Sequence, residues 1–235
     1  MFETKNMGKT IGILFLIQIT IGLFVNFSVM PELFGNPGFP VTGSEIHLKV
    51  GVSLLLSLLI GCINIVVAAV CYNAFSKTNP VLTLFFLAFT AANLAVTAIE
   101  YTAVMNMVSF SKQYLAATAQ EASHLVEVLR PLLMSTRNWA HFTNVTFGGS
   151  VVFIFYLLLF RGSDIPKALA GWGMFVALIQ LSTVTQPFLG GSVNTLFLVP
   201  IGLTQILMPI YFIFQGIGKA SNTSKLIGSE NLNTV

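Results

Sequence analysis

Three ionisable residues, Glu100, Arg137 and His141, lie inside apolar stretches that are long enough to cross a bilayer. An ionisable group at membrane depth costs roughly 2.5–3.5 kcal/mol on insertion scales, so it usually has a partner and often a function. Arg137 and His141 are one helical turn apart, and Glu100 can be placed at a similar depth. These residue types predict a polar site within the membrane that can form ion pairs, bind a ligand or transfer a proton.

Three interpretations of this site are open at the level of the sequence. Glu100 and Arg137 can form an ion pair that fixes helix packing. The polar residues can instead line an outer-leaflet pocket for a small or amphiphilic ligand, as in a binding or transport-type module. The alternative is a membrane-embedded hydrolase that acts on lipid at the outer leaflet, with His141 as base and Glu100 as the group that orients it or as a metal ligand.

Further polar side chains recur at helical spacing along the neighbouring apolar stretches. Thr90, Asn93, Thr97 and Glu100 follow the spacing i, i+3, i+7 and i+10, which places them on one narrow helical face. Such a face must contact protein or water, because lipid offers no hydrogen-bond partner. The predicted outer-level cluster consists of Glu100, Arg137, His141, Asn93, Asn144, Gln180, Gln186 and His47.

A metal or haem site is the next possibility that the histidines raise. His47, His124 and His141 with a glutamate could supply three zinc ligands and a base. The chain nevertheless has no HExxH motif and no histidine pair at i, i+4. Haem b needs two facing imidazoles, and only His141 is clearly inside a membrane helix. We therefore predict neither a metal nor another cofactor.

The elements that must position these residues follow from composition. Hydrophobic residues make up 55% of the chain and charged residues 8%, which is too apolar for a soluble globular protein. Because backbone groups in lipid must be satisfied internally, apolar segments of about 20 residues predict membrane-spanning helices. This predicts an all-α, polytopic six-helix bundle with one transmembrane domain over 1–218. The predicted spans are 10–30, 49–72, 80–107, 136–160, 167–187 and 194–217, with ends uncertain by about 2–4 residues.

Two segments outside the spans have recognisable patterns. Apolar residues recur at helical spacing over 113–130, which predicts a short amphipathic helix on the outer face that Pro131 ends. Pro80 and Pro166 are predicted to begin helices, since proline is well tolerated in a first turn. The polar segment 219–235 is predicted to be a disordered cytoplasmic tail.

Lysine and arginine residues predict the orientation of the bundle. Seven of them fall on the side that carries the termini and four on the other side, so we expect both termini in the cytoplasm of a plasma (inner) membrane protein. The expected partners are the lipid bilayer and a small amphiphilic ligand. No basic patch with interleaved aromatic residues is present, which argues against nucleic-acid binding.

A family resemblance rests on motifs between Leu48 and Gln186. The second apolar stretch contains Asn64 and Tyr72 before a basic turn, and the fourth contains His141 and then Gly148 and Gly149. The segment 160–169, FRGSDIPKAL, is close to a Tyr-Arg-Ser-x-x-Leu-Pro-Arg-x-Leu turn. With these motifs the chain resembles the bacterial six-helix membrane family catalogued as domain of unknown function 4386. The resemblance implies the fold and topology and implies no established reaction. Asn64 and Thr90 depart from the family, whose members often carry an acid and an arginine there.

Overall fold

Six helices long and apolar enough to cross a membrane run through the computed structural model, which describes residues 4–35 and 39–217. No strand is present in these ranges. The predicted all-α, six-span architecture is confirmed. The predicted tail, 219–235, lies outside the described residues, so the domain boundary at 218 stays a prediction. The helices are α1 (Thr4–Phe24), α2 (His47–Phe75), α3 (Pro80–Ala116), α4 (Ala119–Gly162), α5 (Lys167–Val184) and α6 (Val199–Gln215).

Short helical segments extend two of these spans. A π-helical turn, Val25–Val29, and a short helix, Met30–Phe34, continue α1. Two 3-10 turns, Gln186–Leu189 and Thr195–Leu198, connect α5 to α6. π-Helical turns are rare and frequently lie at functional sites, which draws attention to this end of the first span.

Prolines and a glycine mark helix ends as expected from their backbone preferences. Pro80 is the first residue of α3, as predicted, and Pro166 is the N-cap that precedes α5. Gly216 ends α6 with a φ of 77°, a left-handed conformation that favours glycine.

The first part of α4 differs from the sequence prediction of a separate short helix over 113–130. The residues after Ala119 do not form a separate helix, because α4 continues unbroken through Pro131. Proline removes the hydrogen bond to the carbonyl four residues earlier, here that of Glu127. Both residues are exposed, so the freed carbonyl is not trapped in the protein core. The chain breaks instead at Ala117, which is extended (φ −81°, ψ 155°).

The six helices form a closed ring. Each packs on its neighbours in sequence, and α6 packs on α1. We call the end of the ring that carries Thr4 and Gln215 the terminus side, and the opposite end the loop side. At the α1–α6 contact, a Cβ on Gly8 would lie 2.4 Å from Cα of Gly216, and one on Gly12 would lie 2.5 Å from the carbonyl oxygen of Pro209. Glycines therefore let these two backbones approach and close the ring.

Apolar clusters fill the ring on both sides of its centre. On the terminus side, the ring of Phe155 lies 5.4 Å from Phe15, 5.7 Å from Phe86 and 6.0 Å from Phe212, which joins α4 to α1, α3 and α6. On the loop side, a second cluster packs Met107 of α3 against residues that include Leu33. The space between the two clusters contains the polar residues.

The α1–α6 contact generates a prediction about stability. Gly12→Ala should lower the melting temperature in detergent, because its Cβ meets backbone, and overpacking costs about 1–3 kcal/mol. Gly22→Ala is the matched control on the same helix, since nothing lies within 4 Å of its Cβ. It should keep or slightly raise the melting temperature. Equal melting temperatures for the two variants would contradict the close approach at Gly12.

Candidate functional site

The carboxylate of Glu100 is the centre of a polar cluster between α3 and α4. Glu100 is buried, with 6% of its surface exposed. Its Oε1 lies 2.8 Å from Nδ1 of His141 and 3.7 Å from Nη2 of Arg137. Its Oε2 accepts a hydrogen bond of 2.7 Å from the side-chain amide of Asn144. Both oxygens are therefore engaged by donors from α4, and the ion pair with Arg137 expected from the sequence is present.

Helical spacing explains why α4 supplies all three donors. Arg137, His141 and Asn144 fall at i, i+4 and i+7, so they share the face that meets α3. Along α3, Asn93 donates to the side-chain oxygen of Asn144 at 2.8 Å and Thr97 donates to the same atom at 3.0 Å. Asn144 thus connects the carboxylate to the polar residues one and two turns closer to the terminus side.

Arg137 has more hydrogen-bonding capacity than its neighbours use. Its guanidinium carries five N–H donors. Besides the 3.7 Å contact with Glu100, its only hydrogen bond within the described residues is one of 3.4 Å to Asn138. Its Cζ lies 4.4 Å from the ring centroid of Phe34, which covers it from the loop side. The side chain is 15% exposed, so its charge is held largely within the protein.

A cavity of about 410 Å³ opens beside this cluster at the centre of the ring. All six helices contribute to its wall. Its apolar end, towards the terminus side, is lined by Phe15, Val67, Phe86, Val151 and Phe155, with Tyr156 beside them. Its polar wall consists of Gln18, Asn26, Ser57, Asn64, Asn93, Thr97, Glu100, Tyr101, Arg137, His141, Asn144, Gln180 and Gln205.

Three polar atoms in the wall of this cavity are buried without a hydrogen-bond partner. They are Nε2 of Gln18, Nε of Arg137 and Oε1 of Gln180, and they are the only such side-chain atoms over residues 4–35 and 39–217. A buried polar atom without a partner costs about 1–3 kcal/mol, so unpaired atoms are rare in folded proteins. All three atoms belong to residues that line one cavity, which is the pattern expected of a site that receives polar ligand atoms once these side chains turn towards it.

The structure brings together six of the eight residues predicted for the site. Glu100, Arg137, His141, Asn93, Asn144 and Gln180 line the cavity. His47 and Gln186 do not. His47 is the exposed first residue of α2, and Gln186 is exposed and donates to the carbonyl of Ser182 at 3.1 Å. Both side chains are exposed and do not line the cavity, so these two predicted site residues are not part of it.

Other wall residues were not predicted for the site. Gln18 of α1 and Asn26 of the π-helical turn lie four residues before and four residues after Gly22. This i, i+4, i+8 spacing is the signal that could have found them. Ser57 of α2 donates to the hydroxyl of Tyr101 at 2.5 Å. Gln205 has no polar neighbour at i±3 or i±4. Only the ring arrangement brings it to the cavity.

The residues of this cluster could bind a polar ligand, and His141 could act as a general base. Because Nδ1 of His141 contacts Glu100, a neutral imidazole here carries its proton on Nδ1 and leaves Nε2 as an acceptor. Nε2 makes no hydrogen bond to the part of the chain that is described. No group of three His, Cys, Asp or Glu side chains arranged to hold a metal occurs in the described ranges.

Comparison with known proteins gives a family and no reaction. Residues 10–216 match the family model described as "Domain of unknown function (DUF4386)". No curated protein matches the chain. No solved structure matches it either.

The Glu100–Arg137 contact generates a double-mutant prediction. Glu100→Gln and Arg137→Gln should each lower the detergent melting temperature, because removing one partner of a buried pair costs about 3–5 kcal/mol. The double variant should recover part of the loss, since neither charge is then left alone. The recovery should be incomplete because His141 and Asn144 still lose their acceptor. Additive losses across the cycle would show that the two side chains are not coupled.

Proposed function

Since the chain belongs to the DUF4386 family, whose description assigns no activity, we propose its function from its own cavity: it binds a small amphiphilic ligand within the membrane, as a binding or transport-type module. The observation that carries the proposal is the central cavity, whose lining residues include every residue with a buried, unpartnered side-chain atom in the described ranges. The lipid bilayer is its environment, and the ligand is its expected partner.

The size and lining of the cavity support this class of ligand. Its volume of about 410 Å³ falls within the roughly 300–1,000 Å³ typical of small-molecule pockets. Aromatic side chains around Phe155 line one end, whereas Glu100, Arg137 and His141 lie at the other. An amphiphile matches both ends, with its apolar part against the phenylalanines and its polar part against the charged cluster.

Hydrolysis of lipid is the alternative, and the contact between His141 and Glu100 is what favours it. A histidine oriented by a carboxylate at 2.8 Å is the arrangement of a general base. A nucleophile is harder to find, because the serine and threonine hydroxyls in the wall, Ser57 and Thr97, are hydrogen-bonded within the protein. The base would therefore have to activate water, and binding is the better supported of the two functions.

We also infer that the protein lies in the plasma membrane with both termini in the cytoplasm. The sequence count of lysines and arginines supports this orientation, with seven on the side of the termini against four on the other, one of which, Arg137, lies in the cavity wall. The polar end of the cavity would then lie towards the outer leaflet.

Filling the cavity should remove the ligand. Gly22 lines the cavity and has nothing within 4 Å of its Cβ position, so Gly22→Phe should fill the space without disturbing packing. Gly202→Phe is the matched control, since Gly202 is exposed on α6, equally unobstructed, and outside the cavity. Native mass spectrometry of protein released from membranes should detect a bound small molecule in the wild type and control and lose it in Gly22→Phe.

An identical set of bound molecules in all three proteins would contradict the binding proposal. Breakdown of a co-purified lipid by the wild type, with no breakdown by His141→Gln, would instead favour the hydrolase.

The orientation has its own test. A periplasmic-only reporter such as alkaline phosphatase, fused after Val235, should be inactive, and a cytoplasmic reporter at the same point should be active. A cysteine placed at position 38, between α1 and α2, should react with an impermeant reagent added outside intact cells. The reverse pattern would overturn the inferred topology.

A further inference from the structure

We propose that the polar end of the ligand is a singly charged anion of the carboxylate class, held by Arg137 and by the protonated form of His141, so that it binds with uptake of a proton. This deepens the proposed function and rests on it. The inference comes from which charged groups around the cavity are already engaged and which have capacity left.

Glu100 has little capacity for a cationic ligand. Its Oε1 contacts both His141 and Arg137, and its Oε2 accepts from Asn144. A ligand cation would have to displace these donors and would also lie close to the guanidinium, which repels it. The only carboxylate in the cavity wall is thus already compensated from within the protein.

The hydrogen-bond donors of the cavity wall, in contrast to Glu100, have capacity left. Nε of Arg137 is buried with no acceptor, and the two polar contacts of its other nitrogens, at 3.4 Å to Asn138 and 3.7 Å to Glu100, are long for hydrogen bonds. Nε2 of Gln18 on α1 is a second buried donor without an acceptor. A carboxylate is the planar acceptor that a guanidinium binds best. The third unpartnered atom, Oε1 of Gln180, is an acceptor but belongs to a neutral amide. Because the guanidinium is the charged member of the three, the unused donors favour a ligand that brings acceptor oxygens.

The balance of charge in the cavity then indicates which residue takes up a proton when the anion binds. The titratable and charged groups in the wall are Glu100 and Tyr101 from α3, and Arg137, His141 and Tyr156 from α4; the wall residues of α1, α2, α5 and α6 are uncharged. With a neutral imidazole, Glu100 and Arg137 cancel, and an added anion would leave one uncompensated charge at membrane depth. Protonation of His141 restores neutrality and turns Nε2 into a further donor.

The same balance limits the ligand to one negative charge. A protonated His141 supplies one net positive charge, which matches a carboxylate and falls short of a doubly charged phosphate group. In net terms the cavity takes up the neutral acid, which avoids leaving an unpaired charge within the membrane. The apolar end around Phe15, Phe86 and Phe155 receives the hydrocarbon part.

Three probes with the same ring and chain test the charge of the ligand. Phenylbutyrate, phenylbutanol and phenylbutylamine are titrated calorimetrically into full-length protein in nanodiscs, with empty nanodiscs as the control for partitioning. The carboxylate should bind at least about tenfold more tightly than the alcohol or the amine, because only it pairs with the unused charged donors. Gly22→Phe should abolish this binding.

The proton is measured on the wild type alone. Titrations in buffers of different ionisation enthalpy should report uptake of about one proton per bound carboxylate and none per alcohol. The carboxylate affinity should rise as pH falls from 8 to 6. Over that range the probe stays ionised, since ordinary carboxyls titrate near pH 4. The affinity of the alcohol should not change with pH.

Two variants locate the effect. His141→Gln should abolish proton uptake and the pH dependence and weaken the carboxylate about tenfold, and it should weaken the uncharged alcohol by a smaller factor. Gln18→Met loses no hydrogen bond to the protein, so it should fold normally and bind the carboxylate several-fold more weakly.

Each outcome separates this inference from the proposed function. Equal or tighter binding of the alcohol or the amine, or carboxylate binding without proton uptake, overturns the anion assignment and leaves the cavity as a binding site. Binding of none of the probes also overturns the anion assignment, and the mass-spectrometric comparison of Gly22→Phe with Gly202→Phe then decides the binding proposal independently.

Discussion

The carboxylate of Glu100 imposes the constraint to which the interior of this protein conforms. A buried charge in a membrane helix is tolerated only where the protein supplies its partners, because lipid supplies none. Here α4 supplies three donors at helical spacing, and this requirement fixes the register of α4 against α3. Asn144 supports the same register along α3, because its side-chain oxygen accepts hydrogen bonds from Asn93 and Thr97.

The ring arrangement is consistent with the cost of burying charged side chains at the centre of the bundle. A solid core would bury Glu100, Arg137 and His141 against apolar side chains at high cost. The six helices instead surround a cavity, and the aromatic cluster around Phe155 closes its terminus side. On the loop side, Arg137 is covered by Phe34, the last residue of the short helix that follows the π-helical turn. The glycines of α1 allow α6 to complete the ring.

Much of this organisation could be predicted from the sequence, because apolar length defines membrane spans and helical spacing defines faces. The grouping of Glu100, Asn93 and Asn144 depends only on the faces of two adjacent helices. Gln205 could not be predicted, because its position depends on how α6 turns as it closes against α1. His47 was assigned from depth alone, and depth does not determine the direction of a side chain around the helix axis.

Pro131 shows a different limit of sequence reasoning. The cost of a proline inside a helix depends on the surroundings of the carbonyl that it leaves free. That carbonyl belongs to Glu127, which is exposed, so the helix continues where the local rule predicts an end. Helix propensity is a local property, whereas exposure is decided by the assembled ring.

The sharing of the cavity wall among six helices has a consequence for how such a protein can diversify. Residues of the cavity wall such as Gln18, Asn64 and Gln180 make no side-chain hydrogen bond within the described ranges, so they can be exchanged without breaking one. The contacts that hold the ring together lie elsewhere, at Gly12 and around Phe155. Single substitutions on one helix can thus retune what the cavity accepts while the scaffold persists, so ligand preference and fold stability are free to evolve separately.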